Sequence, residues 1–375
     1  MNSSYRNTPT STPICHSHQA GVALITVLLV VFLASVAAAS LASVQQLAIR
    51  RSALLLHQQQ ARLYTFGAEQ WAMAILKRDR QQNKTDSLNE DWAQLPPALP
   101  IEGGSMSGRI QDLQGRLNLN NLLKARSFTD QKDNPTEQEG NEQEEDNDNQ
   151  EENKDKATNK TTAKNSHKIQ DKNRGEDTKA DIDKEQLKIL QHLLDVLELN
   201  PEIAQAVADW LDPDQETRFA GGAEDSEYTV LTPPYLAANR RLTSLSELRL
   251  IKGIDKTAYD KLSPHVCVLP PGTPINVNTI TAPVLMALGD GIDAIRAEAL
   301  VEDLKKQGFD NVATFLTAAG LAELPPELQL EVRSNYFSVQ IEARVGEGRA
   351  TLYSILERSD NGSSRVLMRS FGNEN

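Results

Sequence analysis

Between Arg6 and Arg50 the chain carries no Lys, Arg, Asp or Glu, and from Val22 to Leu47 it reads VALITVLLVVFLASVAAASLASVQQL. As a helix rising about 1.5 Å per residue, this stretch covers the roughly 30 Å hydrocarbon layer of a bilayer with residues to spare. A buried core helix is the other reading of an apolar segment, but this length without charge favours a membrane span. A secretory signal peptide needs a basic start, a shorter apolar stretch and a small-x-small cleavage site, for which Ala37-Ala38-Ala39 could serve. Against that, helical patterning runs straight on: Tyr64, Ala68, Trp71 and Ile75 fall at i, i+4, i+7 and i+11. The spacing predicts one helix from Val22 to about Lys77, a rod roughly 80 Å long with its first half in lipid and its second half amphipathic. Flanking charge does not fix the topology, because Arg6 precedes the span while Arg50 and Arg51 follow it.

The remaining chain is long enough for one large or two small domains. Of 375 residues, 39% are apolar and the formal charge is -13, which argues against a protein that binds by neutralising phosphates. Two cysteines, Cys15 and Cys267, cannot make a disulfide framework or a cysteine zinc site. Much of the acidity is local. Residues 127–183 hold 17 Asp or Glu against 9 Lys or Arg, with Phe128 the sole aromatic. So little apolar surface cannot offset the entropy of ordering, and a disordered insert is expected there.

Pro96-Pro97 and Pro100 exclude helix, Gly103-Gly104 begin a turn, and Ile110 with its alternating neighbours suggests a strand. From Lys184 the helical period returns, with Leu187, Leu190, Leu194 and Leu197 on one face, flanked by Leu193. Further helices are expected at Ile203–Trp210, Leu245–Leu250 and Thr257–Leu262. The chain ends in alternation: Tyr336–Val345, a turn at Gly346-Glu347-Gly348, Ala350–Arg358, a turn at Asp360-Asn361-Gly362, and Arg365–Phe371. The expected fold class is α+β, with a long N-terminal helix packed on an antiparallel sheet and a large, mainly helical insertion.

Two constellations invite a chemical reading. Asp209 to Tyr228 bunches hard oxygen ligands on a loop, which suits calcium and its 6–8 oxygens. It is not an EF-hand: counting Asp212 as position one, Thr217 stands where glycine is needed and Ala223 where the bidentate acid belongs. These carboxylates either stay solvated or take a cation. The second is an echo, Gly253-Ile254-Asp255 and Gly291-Ile292-Asp293, each resembling a helix-hairpin-helix turn. Nucleic-acid-binding turns of this kind offer backbone N–H groups to phosphate. Here aspartate replaces the second glycine in both, and Asp290 adds another acid, so structural turns are expected. No Ser-His-Asp set, phosphate loop or paired catalytic acid is legible, and no enzyme is expected.

The run Gly21-Val22-Ala23-Leu24-Ile25-Thr26-Val27-Leu28-Leu29 resembles the start of type IV pilin-like proteins, and Asp112 to Asn120 resembles the "DxxGRxNLN" stretch of one branch, the type II secretion system protein K family of minor pseudopilins. The resemblance implies prepilin peptidase cleavage between Gly21 and Val22. It further implies a single-pass protein of the cell inner membrane with its large region in the periplasm. Thr26 stands at the fifth mature position, where most pilin-like proteins carry a glutamate that neutralises a neighbour's N-terminal amine. That departure is a feature of the family and implies a subunit at the filament tip, although alone Thr26 is equally an ordinary small residue. The resemblance places calcium on Asp212, Asp214, Glu224 and Asp225, with Glu216 and Glu227 in reserve. It implies minor pseudopilins I and J and the major pseudopilin as partners, with no nucleic acid expected. On this reading residues 1–21 are a leader, 22–48 a transmembrane helix, 49–126 the rest of the helix and first strands, 127–183 the insert, 184–335 the helical domain and 336–375 the closing strands. The alternative is a membrane-anchored helix-hairpin-helix protein that binds nucleic acid.

Overall fold

The structure is a computed structural model that describes residues 20–124, 182–289, 291–321 and 328–372. Residues 1–19 of the expected leader, Asp290 and residues 127–181 of the expected insert lie outside the described residues. Helix α1 runs unbroken from Ala20 to Gln82, 63 residues or about 95 Å. It holds no proline, and Gly67 is its one glycine beyond the first turn, so little in the sequence stops it before the polar Asn83-Lys84. Residues 22–49 are exposed on every side, although they carry no charge and are mostly apolar. A helix greasy all round requires an apolar surrounding.

From Ala61 onward α1 turns one face to a sheet. Ala61, Ala68 and Ala72 keep that face shallow, and Ile75 and Leu76 fill it. The chain then forms a hairpin of β1 (Leu99–Ile101) and β2 (Gly104–Asp112), followed by β3 (Leu117–Asn118). A helical insertion follows: α2 (Lys184–Val196), α3 (Ile203–Leu211), α4 (Asp225–Tyr228), α5 (Lys256–Leu262), β4 (Val266–Cys267), β5 (Ile275–Asn276), α6 (Ala282–Ala287), α7 (Ala294–Leu304), α8 (Val312–Ala319) and β6 (Leu330–Glu331). Three strands finish the chain: β7 (Tyr336–Val345), β8 (Gly348–Arg358) and β9 (Ser364–Phe371). The sheet is antiparallel throughout in the order β1-β2-β7-β8-β9. Phe337, Val339 and Ile341 of β7 and Leu352 and Leu356 of β8 face α1, and the alternate residues face away, as period two requires. Trp92 closes this core edge-on to Phe337, 5.3 Å between centroids. Each such side chain stabilises the fold by about 1.5–3 kcal/mol through burial.

The helix and sheet are also joined by charge. Glu69, fully buried on α1, receives three hydrogen bonds from the guanidinium of Arg369 on β9 and one from Ser354 on β8. Where the β7–β8 turn meets α1, a Cβ on Gly348 would lie 2.5 Å from the backbone carbon of His57, so only glycine fits.

The insertion has its own core of Leu190, Leu193, Leu194, Val207, Leu211, Leu248, Leu285 and Phe315. Leu190, Leu193 and Leu194 of the expected α2 face are buried, whereas Leu187 and Leu197 are half-exposed at its margins. The segment Leu245–Leu250 is a 3-10 helix; Ser244 and Glu247 cap it, and Gly253 shortly after leaves no room for a longer one. The described chain takes up again at Ile182, two residues before the helical period at Lys184. Ile182 is buried and pairs antiparallel with Leu123, and Asp183 caps α2 through the N–H groups of Glu185 and Gln186. Averaging charge over the acidic run hid that start signal.

The insertion and the sheet meet at a buried polar joint built on the stretch from Asp112 to Asn120. Asp112 accepts bonds from Ser334, Thr279 and Asn276. A Cβ on Gly115 would sit 2.1 Å from the carbonyl oxygen of Thr279. Asn120 donates to the carbonyls of Leu242 and Leu269 and accepts from the Leu242 N–H, so one side chain ties three distant segments. Beside it the buried Arg358 binds Asp79 on α1 at 3.0 Å, Asp86 and the carbonyl of Ser334, and lies over the Phe337 ring.

Candidate functional site

The acidic loop begins where α3 ends. Pro213 forces Asp212 into extended backbone, which stops the helix at Leu211 and swings the chain outward. Trp210 is buried and stands edge-on to Tyr228 of α4, 5.2 Å between centroids, which fixes the two ends of the loop against each other. Lys252 ties the far side through the carbonyl of Gly222.

Inside this frame carboxylates converge. Asp209 and Asp212 are wholly buried and Glu224 nearly so. Arg218 reaches back to both aspartates, with its Nη2 2.6 Å from Asp212 Oδ2 and its Nε 3.2 Å from Asp209 Oδ1. Asp209 Oδ2 accepts the N–H groups of Arg218 and Ala223 and so shapes the loop from within. Gly221 has φ of +95°, and a Cβ on Gly222 would lie 2.3 Å from Asp209 Oδ2. The double glycine is what lets the loop close over the carboxylates.

Asp212, Asp214 and Glu224 each offer an oxygen within 4.8 Å of the others. Among the described residues, Asp212 Oδ1 and both carboxylate oxygens of Glu224 are buried without a hydrogen-bond donor. Burial, and then the charges of Asp209, Asp212, Asp214 and Asp225, push the Glu224 carboxyl up to about 8. Burial first and the charge of Asp212 push Asp209 up to about 6. Asp212 is raised too, chiefly by burial. One guanidinium therefore does not balance this pocket. A divalent cation would: at calcium–oxygen distances of about 2.3–2.6 Å two ligands of one ion stand at most roughly 4.6–5.2 Å apart, and the three oxygens, all within 4.8 Å of one another, fall inside that limit. The donor set, all hard oxygen with no sulfur or nitrogen, fits calcium.

Of the four ligands expected from sequence, the structure brings together Asp212, Asp214 and Glu224. Asp225 is not in that group; its Oδ1 accepts the Ala237 N–H at 2.8 Å. The reserve Glu227 accepts the Glu224 N–H and the Ser226 hydroxyl at the start of α4, and these bonds hold its carboxyl low. Glu216 is exposed, and its N–H donates to Asp214 Oδ1. The sequence placed Asp209 and Arg218 within the acidic stretch but gave neither a role. The signal for Asp209 was its place three residues before Asp212, which puts the two on one face at the end of α3.

A second triplet, Asp79, Asp86 and Glu90, is equally close-set, but it is already served. Arg358 binds both aspartates, Arg80 adds a further cation, and the two oxygens of Glu90 accept from Trp92 and Ser87. It belongs to the joint. In the two Gly-Ile-Asp turns the aspartates are helix caps: Asp255 accepts the Ala258 N–H at 2.7 Å and Asp293 the Arg296 N–H at 2.8 Å. A carboxylate thus fills each helix start that a phosphate would need.

At the other end of the molecule Thr26 donates its hydroxyl to the carbonyl of Ala23 on its own helix. Among the described residues, α1 is the one helix long and apolar enough to cross a membrane.

A profile of the family described as type II secretion system (T2SS), protein K matches residues 115–271, and a second profile of the same description matches residues 275–340. The type II secretion system protein K of Pseudomonas aeruginosa is 34% identical over 368 residues, which cover 94% of this chain and 93% of that protein. The chain belongs to the protein K family. The Aeromonas hydrophila member is 28% identical, covering 95% of this chain and 98% of its own. Among solved structures, a chain of the GspK-GspI-GspJ complex from enterotoxigenic Escherichia coli superposes with a TM-score of 0.63 at 25% identity, covering 86% of this chain and all of that one. The family profiles begin at Gly115 and end at residue 340, so they take in the acidic loop and the joint's Asn120, Asn276, Thr279 and Ser334, and leave out α1, Asp112 and Arg358.

Proposed function

We propose that the chain is a minor pseudopilin of a type II secretion system, held in the inner membrane by α1 and carrying its sheet and helical insertion in the periplasm. The observation that carries this reading is the single unbroken helix, apolar and bare over its first half and packed on the sheet over its second. A cleaved signal peptide would not be built into the same rod as the domain it delivers. In this reading prepilin peptidase cuts between Gly21 and Val22 and leaves the helix in place. Thr26 supports a position at the filament tip, since its hydroxyl is taken up by its own backbone and cannot neutralise a neighbour's amine. The bulk of the insertion supports the same position, because a second subunit stacked above it would collide with it. The relative found in complex with GspI and GspJ supports minor pseudopilins I and J as partners, joining before the major pseudopilin extends the filament.

A structural calcium belongs to the same proposal. Asp212, Asp214 and Glu224 would hold it, and it would supply the positive charge that lets the loop close. The two helix-hairpin-helix-like turns serve as internal corners, with Asp255 and Asp293 as caps.

The deciding experiment is N-terminal sequencing of the mature chain from host inner membranes, together with secretion by a strain lacking it. Val22 as the first residue, and secretion restored by the full chain, would support the proposal. A start near Ser40, in a soluble periplasmic form, would refute it.

A further inference from the structure

Between α1 and β1 the chain crosses a link, residues 83–98, that clasps the helical insertion. The Asp86 N–H donates to the carbonyl of Val332, the Asp86 carbonyl accepts from Asn276, and Asn89 donates to the carbonyl of Lys306. A Cβ on Gly308 would lie 2.8 Å from the Cβ of Ser87, so the two segments touch.

Into this clasp the fold sets more acid than base. Asp79, Asp86 and Glu90 each bring one carboxylate oxygen within 4.8 Å of the others, and Asp112 of β2 is bridged to Asp86 through Ser334. Two cations answer these four acids. Arg358 of β8 holds Asp79 and Asp86. Arg80 of α1, its side chain 7% exposed, gives one nitrogen to Asp360 at 2.6 Å and leaves its Nη1 without a hydrogen-bond partner, 3.9 Å from Asp86. Glu90 receives neutral donors, the Ser87 hydroxyl and the Trp92 indole, and among the described residues no cation pairs with it. The other nearby cations are engaged elsewhere: Arg78 with Asp91 at 3.2 Å, Lys306 with Asp303 at 2.9 Å, and Arg333 with the carbonyl of Lys84.

Carboxylates this close do not all ionise without penalty, and a proton is the simplest relief. Burial, and then the charge of Asp79, push the Glu90 carboxyl up to about 7. Burial, opposed by Arg358, pushes Asp86 up to about 6. We propose that the link is a proton-operated clasp: with Glu90 protonated it fixes the insertion at one angle to the rod, and with Glu90 ionised the repulsion from Asp79 and Asp86 loosens that hold. Both folded carboxyls lie above their ordinary 4.5 and 3.8, so the stabilising effect of the protons is full below those values and lost as pH rises through 6 and 7. The head is stiffest on its stalk in acid and freest above neutrality. The inference goes beyond the filament-subunit reading and does not depend on it.

The test uses the full chain in detergent and chelator, with Cys15→Ser and Glu224→Gln throughout so that no leader thiol is labelled and Glu224 adds no titration. Nitroxides on Gln70→Cys of α1 and Glu298→Cys of α7, both exposed positions, report the distance between rod and insertion by double electron–electron resonance. The distance distribution is expected to be at least about twofold broader at pH 8.5 than at pH 5.5, with circular dichroism unchanged, and Glu90→Gln should abolish most of that broadening. Ser87→Ala, which takes a donor from the ionised carboxylate, should move the midpoint up by about half a pH unit or more. Equal widths at the two pH values would overturn the proposal, as would broadening that persists in Glu90→Gln or that comes with lost circular dichroism, which is unfolding. Should Glu90→Gln fail to fold, the Ser87→Ala midpoint decides, and an unmoved midpoint overturns the clasp.

Discussion

Replacing Glu224 by Gln tests the proposed calcium site, because the change should help the protein in chelator and weaken the stabilisation that calcium is expected to give. Without metal, Glu224 brings a buried charge with no hydrogen-bond donor into a pocket shared with Asp209, Asp212 and Asp214. A buried polar group left unpaired costs about 1–3 kcal/mol. The amide removes the charge and keeps some of that cost, so a net gain of about 1 kcal/mol is expected in chelator at pH 8.5. With calcium at a hundred times its dissociation constant, the wild-type fold should gain about 2.7 kcal/mol. For a domain of this size that is a rise in melting temperature of about 5–11 °C. Losing one charged ligand should weaken affinity at least tenfold, which at the same calcium concentration cuts the gain to about 1.4 kcal/mol or less. The assay is the thermal melt of the full chain in detergent, followed by tryptophan fluorescence, since Trp210 packs directly under the loop. An equal calcium shift in wild type and E224Q, or a variant less stable than wild type in chelator, would refute the argument.

Metal-free stability should also depend on pH. The folded Glu224 carboxyl, at about 8, lies above its ordinary 4.5; the folded state therefore prefers the proton, and its stabilising effect is full below 4.5 and lost as pH rises through 8. In chelator the melting temperature should fall between about pH 5 and 8, and E224Q should flatten that fall; a wild-type profile already flat in chelator would contradict it. Replacing Gly348 by Val drives a side chain into the backbone at His57 and should destabilise the helix–sheet unit by about 2–4 kcal/mol, read as a lower melting temperature with calcium binding intact. Joining Lys124 to Ile182 through a short Gly-Asn turn should leave the fold unchanged, because Leu123 and Ile182 already pair as neighbours; an altered circular dichroism spectrum or lost calcium response would count against it.

The long helix and the closing strands were legible because period and composition act over many residues there. Tyr336–Val345 and Ala350–Arg358 alternate cleanly, and each lies beside its partner in both sequence and space. The joint was not legible. Asn120 looks like any loop asparagine until Leu242 and Leu269, more than a hundred residues away, are seen to bring it three backbone partners. Arg358 closes a strand that alternation alone describes, yet its buried guanidinium answers Asp79 and Asp86 from a different part of the chain. The acidic loop stood between these cases. Its chemistry could be read from residue type, but which oxygens meet depends on partners distant in sequence: the Ala237 N–H takes up Asp225, while Glu224 stands with Asp212 and Asp214.

The polar joint bears on how a stalk can carry a head. Buried ion pairs contribute little net stability compared with apolar packing of the same volume, since desolvation consumes most of the attraction. Breaking one is costly, however, because the remaining charges are stranded. Arg358 sits among Asp79 at the end of α1, Asp86 just beyond it and Ser334 at the entry to β7, while Asp112 gathers Thr279 and Asn276 from the insertion. Any rotation of the insertion about the end of the rod would have to pull these groups apart together. An apolar contact of equal area would slide, because hydrophobic attraction has no preferred direction. Hydrogen bonds and ion pairs do have one, so the joint holds the insertion at one angle to the 63-residue helix and lets a displacement of that helix along its axis move the head as a unit.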